Sequence, residues 1–174
     1  NALLTVTTTS PCATPPSGLV SWWAAEGNAL DSIGSNPGVL HNGVGFTGGE
    51  VGQAFSFNGT NSYVLVPSSA GLNPTGSFSI ETWVYPRRDP SAAVVLAYKW
   101  GDTAELANQR SYGLSLQSGR VLNFAITDLA HQWDSSFQTF LTDSGAVTVQ
   151  AWNHVVAVYD QSSGTRRIFV NGAQ

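Results

Sequence analysis

At 174 residues, 42% of them hydrophobic and only 10% charged, the chain holds enough apolar material for a packed core, which excludes an intrinsically disordered segment. Its net charge is −4, and its seven cations are scattered apart from the pairs Arg87–Arg88 and Arg166–Arg167, so no basic stripe suits a nucleic-acid backbone. No run approaches the roughly 18 apolar residues of a membrane-spanning helix, which excludes membrane insertion of that kind.

Six Trp, eight Phe and five Tyr stand among 18 Gly and 8 Pro, and the apolar runs are short, a pattern of an all-β domain rather than a helical one. With a single lysine, Lys99, the surface is solvated mainly by Ser, Thr, Asn and Gly, as on exported proteins. The chain starts at Asn1 without an initiator Met and reads as processed or cut from something longer. The one cysteine, Cys12, excludes an internal disulfide and a cysteine zinc site; it reads either as a bridge to a cysteine elsewhere or as an unpaired thiol.

Asn1–Thr9, NALLTVTTT, alternates Leu3, Thr5 and Thr7 against Leu4, Val6 and Thr8, and the Pro-rich stretch Ser10–Gly18 follows it as a stiff linker. A lone strand of this kind is marginal in water, so residues 1–18 are expected to engage a neighbouring domain or subunit through Asn1–Thr9. Residues 19–174 form the main domain. Leu19–Ala25 predicts a strand and Glu26–Gly45 a long loop; Ala54–Phe57 and Tyr63–Val66 predict a hairpin around Asn58–Ser62. In the next strand Phe78, Ile80, Thr82 and Val84 share one face and Ser79, Glu81, Trp83 and Tyr85 the other, up to Pro86. Ala92–Ala97, Tyr112–Gln117 and Val121–Thr127 form a meander turned at Ser118–Gly119, Asp128–Val147 reads as an insertion, and Trp152–Asp160 pairs with Arg167–Val170.

The stretch SWWAAEGNALDSIGSNPGVLHNGVGFTGGEVGQAFSFNGTNSYVLVP, followed in order by FSIETWVYP, YGLSL, AWNHVVAVYD and RRIFVNG, resembles the laminin-G-like domains of bacterial extracellular proteins, within the concanavalin A-like lectin/glucanase superfamily. The resemblance implies an antiparallel β-sandwich of jelly-roll type and an extracellular or cell-surface location. Asn1–Thr9 similarly resembles the last strand of the immunoglobulin-like repeats of bacterial surface proteins. Members of the family continue with further strands after the VNG turn, so the resemblance also implies a sandwich that another segment closes.

Glycoside hydrolysis needs two carboxyls about 5–10 Å apart across the scissile bond. Glu81 has no second acid on its strand face, and Glu26, Glu50 and Glu105 fall in loops, so no catalytic pair is predicted. His41, His131 and His154 are too dispersed for a zinc site, and with no Gly-x-Ser-x-Gly elbow they make no hydrolase triad; His154, on a strand with Val156 and Val158, reads as a hydrogen-bonded structural residue. Calcium takes hard oxygens, which Asp31, Asn36, Asn42 and carbonyls around Gly38 offer. The resemblance places an acid at Asp31, and Asx turns that merely hold the loop are the alternative. A sugar would need an aromatic platform beside hydrogen-bonding groups. Two clusters qualify: Glu81, Trp83 and Tyr85 on one strand face, and His131, Trp133 and Asp134 in the insertion. Trp83 is assigned first to core packing, because the resembled family keeps a tryptophan there, which makes Trp133 the stronger platform.

The function these features imply is non-catalytic: a recognition or adhesion module that contacts a glycan or a surface protein through rim loops, with calcium as a candidate cofactor. The alternative is a structural subunit assembled by strand pairing.

Overall fold

A computed structural model describes residues 15–99, 111–127 and 139–174. Asn1–Thr9, Cys12, His131, Trp133 and Asp134 lie outside the described residues. The chain divides into two compact units, Asn1–Leu72 and Asn73–Gln174.

The first unit carries two small antiparallel sheets. β1 (Val39–His41) pairs with β4 (Tyr63–Leu65), and β2 (Gly45–Gly48) pairs with β3 (Gln53–Ser56). The predicted hairpin of Ala54–Phe57 with Tyr63–Val66 is therefore not formed. The reason is local: the tight turn lies earlier, where the Gly49 N–H donates to Gly52 O at 2.9 Å, while Asn58–Ser62 is closed by the Asn58 side chain and not by a two-residue hairpin. Nor is Glu26–Gly45 a plain loop, since it contains β1 and then an Asn42–Gly43 turn with both residues at positive φ, the pairing that Asn-Gly favours. The predicted strand Leu19–Ala25 reduces to one bridge between Trp23 and Asp31. Its Trp22 N–H is diverted to the Asp31 carboxylate at 2.9 Å and Ala25 sits at φ 62°, so no ladder propagates.

The second unit holds the larger core, between two sheets. One contains β5 (Phe78–Val84), β10 (Asn153–Asp160) and β11 (Thr165–Val170), in the order β11–β10–β5. The other is a meander of β6 (Val94–Lys99), β7 (Tyr112–Gln117), β8 (Val121–Ile126) and β9 (Thr139–Leu141). The meander was predicted, but β9 was not: it lies in the stretch read as an insertion.

All ladders are antiparallel. Leu114, Leu116, Leu122, Phe124 and Ile126 from one sheet meet Val155, Ala157 and Ile168 from the other, joined by Val147 and flanked by Phe78, Ile80 and Val84. Every second residue of these strands is apolar, so each strand turns one face inward. Burial of a side chain of this size stabilises the fold by roughly 1.5–3 kcal/mol, and Phe124, with no exposed surface, is the largest of those fully buried. At the entrance to β10, Asn153 is fully buried and holds the preceding turn, its Oδ1 accepting from the Thr148 N–H and its Nδ2 donating to Thr148 O and Ala151 O at 2.8–2.9 Å.

Candidate functional site

The register of β5 against β10 sets the geometry. Glu81 lies opposite Val156, Trp83 opposite His154 and Val84 opposite Asn153. Since cross-strand partners project to one side, Phe78, Ile80 and Val84 enter the core while Glu81, Trp83 and Tyr85 are carried on the outer face with His154 and Trp152. Trp83 is 48% exposed and Tyr85 45%. The assignment of Trp83 to the core is thus corrected: it projects with Glu81, and Val84 is the inward neighbour. The core side of this strand is already filled by Phe78, Ile80 and Val84, which leaves no room for an indole on that face.

Two aromatic pairs follow one another along this face. The Trp83 and His154 rings are tilted at 34° with centroids 4.9 Å apart, and Tyr85 meets Trp152 edge-to-face at 5.4 Å. His154 Nε2 lies 2.7 Å from Glu81 Oε1, an ion pair whenever the imidazole is protonated. The backbone N–H of His154 donates to Asn171 Oδ1 at 2.9 Å, so the residue is fixed from both sides. Glu81 and Trp83 of β5 and Tyr85 just beyond it lie on one face, and His154 is hydrogen-bonded. Trp152 was not singled out. Its two-residue spacing from His154 in AWNH put both on one face, but only the pairing of β10 with β5 places that face beside Trp83.

The arrangement offers ring faces for apolar C–H surface, and beside them a carboxylate that accepts hydrogen bonds. Among the described residues it offers no second acid at catalytic distance. Asp160 shares the outer face but stands four residues along β10 from the partner of Glu81, roughly 13 Å away at the usual strand rise. Its oxygens are also occupied by the hydroxyls of Ser162 and Ser163, at 2.7 and 2.8 Å.

The residues predicted for calcium fall into two groups. In one, the Asp31 carboxylate accepts N–H donors from Trp22, Ile33 and Gly34 on Oδ1 and from Asn36 on Oδ2. Burial raises the Asp31 pKa, but the N–H groups of Trp22 and Gly34, the Ser21 hydroxyl and the Ile33 N–H together outweigh it and hold the carboxyl well below the usual range. Asn36 completes the group, with Nδ2 donating to Ser21 Oγ at 2.8 Å and its carbonyl accepting from Trp23 Nε1. Gly38 lies against Ala29, to whose carbonyl its N–H donates at 2.7 Å, and an added Cβ there would strike Val64. Asn42 belongs to the second group, donating to Asn61 O at 2.8 Å while its own carbonyl accepts from Asn58 Nδ2. A carboxylate that already accepts four N–H donors has its negative charge satisfied without a cation and does not fit one. Among the described residues no group of three or more His, Cys, Asp or Glu side chains is placed to hold a metal, and no helix is long and apolar enough to cross a membrane.

A laminin-G-type family model, described as the concanavalin A-like lectin/glucanases superfamily, matches residues 58–174. No curated protein matches the chain.

Proposed function

We propose, given that this chain belongs to the concanavalin A-like lectin/glucanases superfamily, that it is an extracellular, non-catalytic binding module. Its outer β5–β10 face is the contact surface for a neutral glycan. The superfamily includes both binding domains and glycosidases, and jelly-roll architecture alone does not choose between them. The observation that carries the choice is the pair of exposed aromatic contacts, Trp83 with His154 and Tyr85 with Trp152, beside a single carboxylate, Glu81.

A pyranose ring presents C–H groups on its faces and hydroxyls around its edge. Trp83 and Tyr85 supply apolar faces for the former, and Glu81 accepts from the latter. One carboxylate suffices for recognition, whereas hydrolysis by either stereochemical route uses two. His131, Trp133 and Asp134 remain a second candidate contact for the same ligand.

The test is calorimetric titration of the chain with neutral gluco-, galacto- and chito-oligosaccharides, repeated for Trp83→Ala and Trp133→Ala. Saturable binding that weakens at least tenfold in Trp83→Ala supports the β5–β10 face. Binding weakened only by Trp133→Ala moves the contact to the His131, Trp133 and Asp134 segment. Absence of binding to every sugar sinks the glycan reading.

A further inference from the structure

On the central strand β10, Val156 lies opposite Glu81 of β5 on one side and opposite Phe169 of β11 on the other. Cross-strand partners project to one side. Glu81, Val156 and Phe169 therefore form a row across the outer face, next to the row of Trp83 and His154. Val156 and Phe169 are both only partly buried. The row is an apolar ledge that begins at a carboxylate.

That carboxylate has an oxygen to offer. The Glu81 side chain is 65% exposed and is engaged through Oε1 by His154 Nε2 at 2.7 Å, while no group among the described residues bonds to Oε2. Neighbouring strands stand roughly 4.8 Å apart and two residues span roughly 7 Å of one strand. A sugar ring stacked on Trp83 thus has Glu81 and Val156 within reach of a substituent on one of its carbons.

A bare hydroxyl there finds an acceptor in Glu81 but makes no use of the ledge. An ammonium finds the carboxylate too, yet loses hydration against two apolar side chains. An acetamido group fits every part: its N–H donates to Glu81 Oε2 and its methyl covers Val156 and Phe169. Its carbonyl needs a donor. Asn171, in register with His154, has Oδ1 held by the His154 N–H at 2.9 Å and Nδ2 without a partner among the described residues.

We propose, resting on the glycan reading of this face, that it selects 2-acetamido sugars over plain hexoses, with Val156 and Phe169 setting the preference.

Calorimetric titration of the full chain with three trimers of the same linkage tests it: chitotriose, cellotriose and the deacetylated glucosamine trimer, which differ only at C2. Chitotriose is expected to bind at least tenfold more tightly than either of the others. Val156→Thr keeps the branched shape but puts a hydroxyl on the ledge, and the preference for chitotriose over cellotriose is expected to fall below threefold. Should that variant fail to fold, Phe169→Leu takes its place with the same expectation. A purely structural role would lower both affinities together and leave their ratio, so an unaltered preference in the variant overturns the inference. Equal binding of chitotriose and cellotriose, or tightest binding of the glucosamine trimer, overturns it while the glycan reading stands. Binding to none of the three also overturns it, and the galacto-oligosaccharides then decide the glycan reading.

Discussion

Trp83 and His154 sit opposite each other on adjacent strands with ring centroids 4.9 Å apart, and the imidazole reaches on to the Glu81 carboxylate at 2.7 Å. One side chain therefore orients both an aromatic surface and a hydrogen-bond acceptor. Replacing it with alanine frees the indole on one side and the carboxylate on the other. His154→Ala is expected to weaken oligosaccharide binding about three- to tenfold while lowering stability by only about 1 kcal/mol, the scale of one cross-strand aromatic contact. Titration calorimetry and denaturant unfolding on the same samples check it; unchanged affinity would mean that Trp83 needs no help from His154.

Glu81→Gln separates recognition from catalysis. The amide keeps one acceptor oxygen but cannot serve as a general acid or a nucleophile. Binding is expected to fall about threefold at most, with no change in any reducing-sugar release, because hydrolysis needs a second carboxyl and none of the described residues supplies one at the required distance from Glu81. Polysaccharide cleavage abolished by this substitution would contradict the non-catalytic reading.

How much of this site the sequence disclosed depends on which periodicity was involved. Through β5 and on to Tyr85, the alternation of Phe78, Ile80 and Val84 with Glu81, Trp83 and Tyr85 states which residues share a face, and the structure keeps that division. Which of the two faces is covered is a tertiary fact, and there the core assignment of Trp83 failed. Pairing partners were less legible still. The run FSFNGTNSYVLV looks like a hairpin because Asn-Gly turns are common, yet Asn58 uses its Oδ1 to accept from the N–H groups of Thr60, Asn61 and Ser62, closing a wider loop that sends β3 and β4 to different partners. The strand at Thr139–Leu141 was hidden because three residues carry no periodic signal.

Asp31 makes the acid response of the first unit predictable. Its folded-state pKa lies below the ordinary aspartate value of 3.8, so its stabilising effect is complete above about pH 4 and is lost as the pH falls through the lower, folded value. Asp160, brought down to about 2 chiefly by the hydroxyls of Ser162 and Ser163, acts with the same sign in the second unit. Asp31→Asn places an amide N–H against the Asn36 N–H and is expected to lose about 1–2 kcal/mol at neutral pH, after discounting for partial exposure. Its unfolding midpoint should then fall less steeply than the wild type's below pH 4. Parallel acid slopes would show that the carboxylate is not the group responsible. Because the same N–H donors oppose a cation, millimolar calcium is expected to leave the wild-type thermal midpoint unchanged, and a rise that disappears in Asp31→Asn would restore a calcium site at this loop.

Asn153 is a stricter case, since its side chain is fully buried and makes three hydrogen bonds to the turn before β10. Asn153→Ala removes all three and leaves one backbone N–H and two carbonyls without their partner, for an expected loss of about 3 kcal/mol or more. Asn153→Asp keeps the acceptor for Thr148 N–H but turns an oxygen toward two carbonyl oxygens, so it is expected to be at least as damaging. Chemical denaturation distinguishes the two contributions, because a purely steric role would leave Asn153→Asp near the wild type.

Ser115 provides the opposite expectation. It stands opposite Asn123 on β7 and β8, on the face away from Leu114 and Leu116, and is only 1% exposed. Neither Ser115 Oγ nor Asn123 Oδ1 has a hydrogen-bond partner among the described residues. A buried hydroxyl that makes no bond contributes its desolvation cost and nothing in return, roughly 1–3 kcal/mol. Ser115→Ala removes that cost with little loss of volume and is expected to be neutral or to stabilise by about 1 kcal/mol, against the destabilisation usual for core substitutions. Urea unfolding of the full chain decides it. A loss of more than about 1 kcal/mol would mean that the hydroxyl is satisfied in solution, with a water bridging Ser115 to Asn123 as the simplest means.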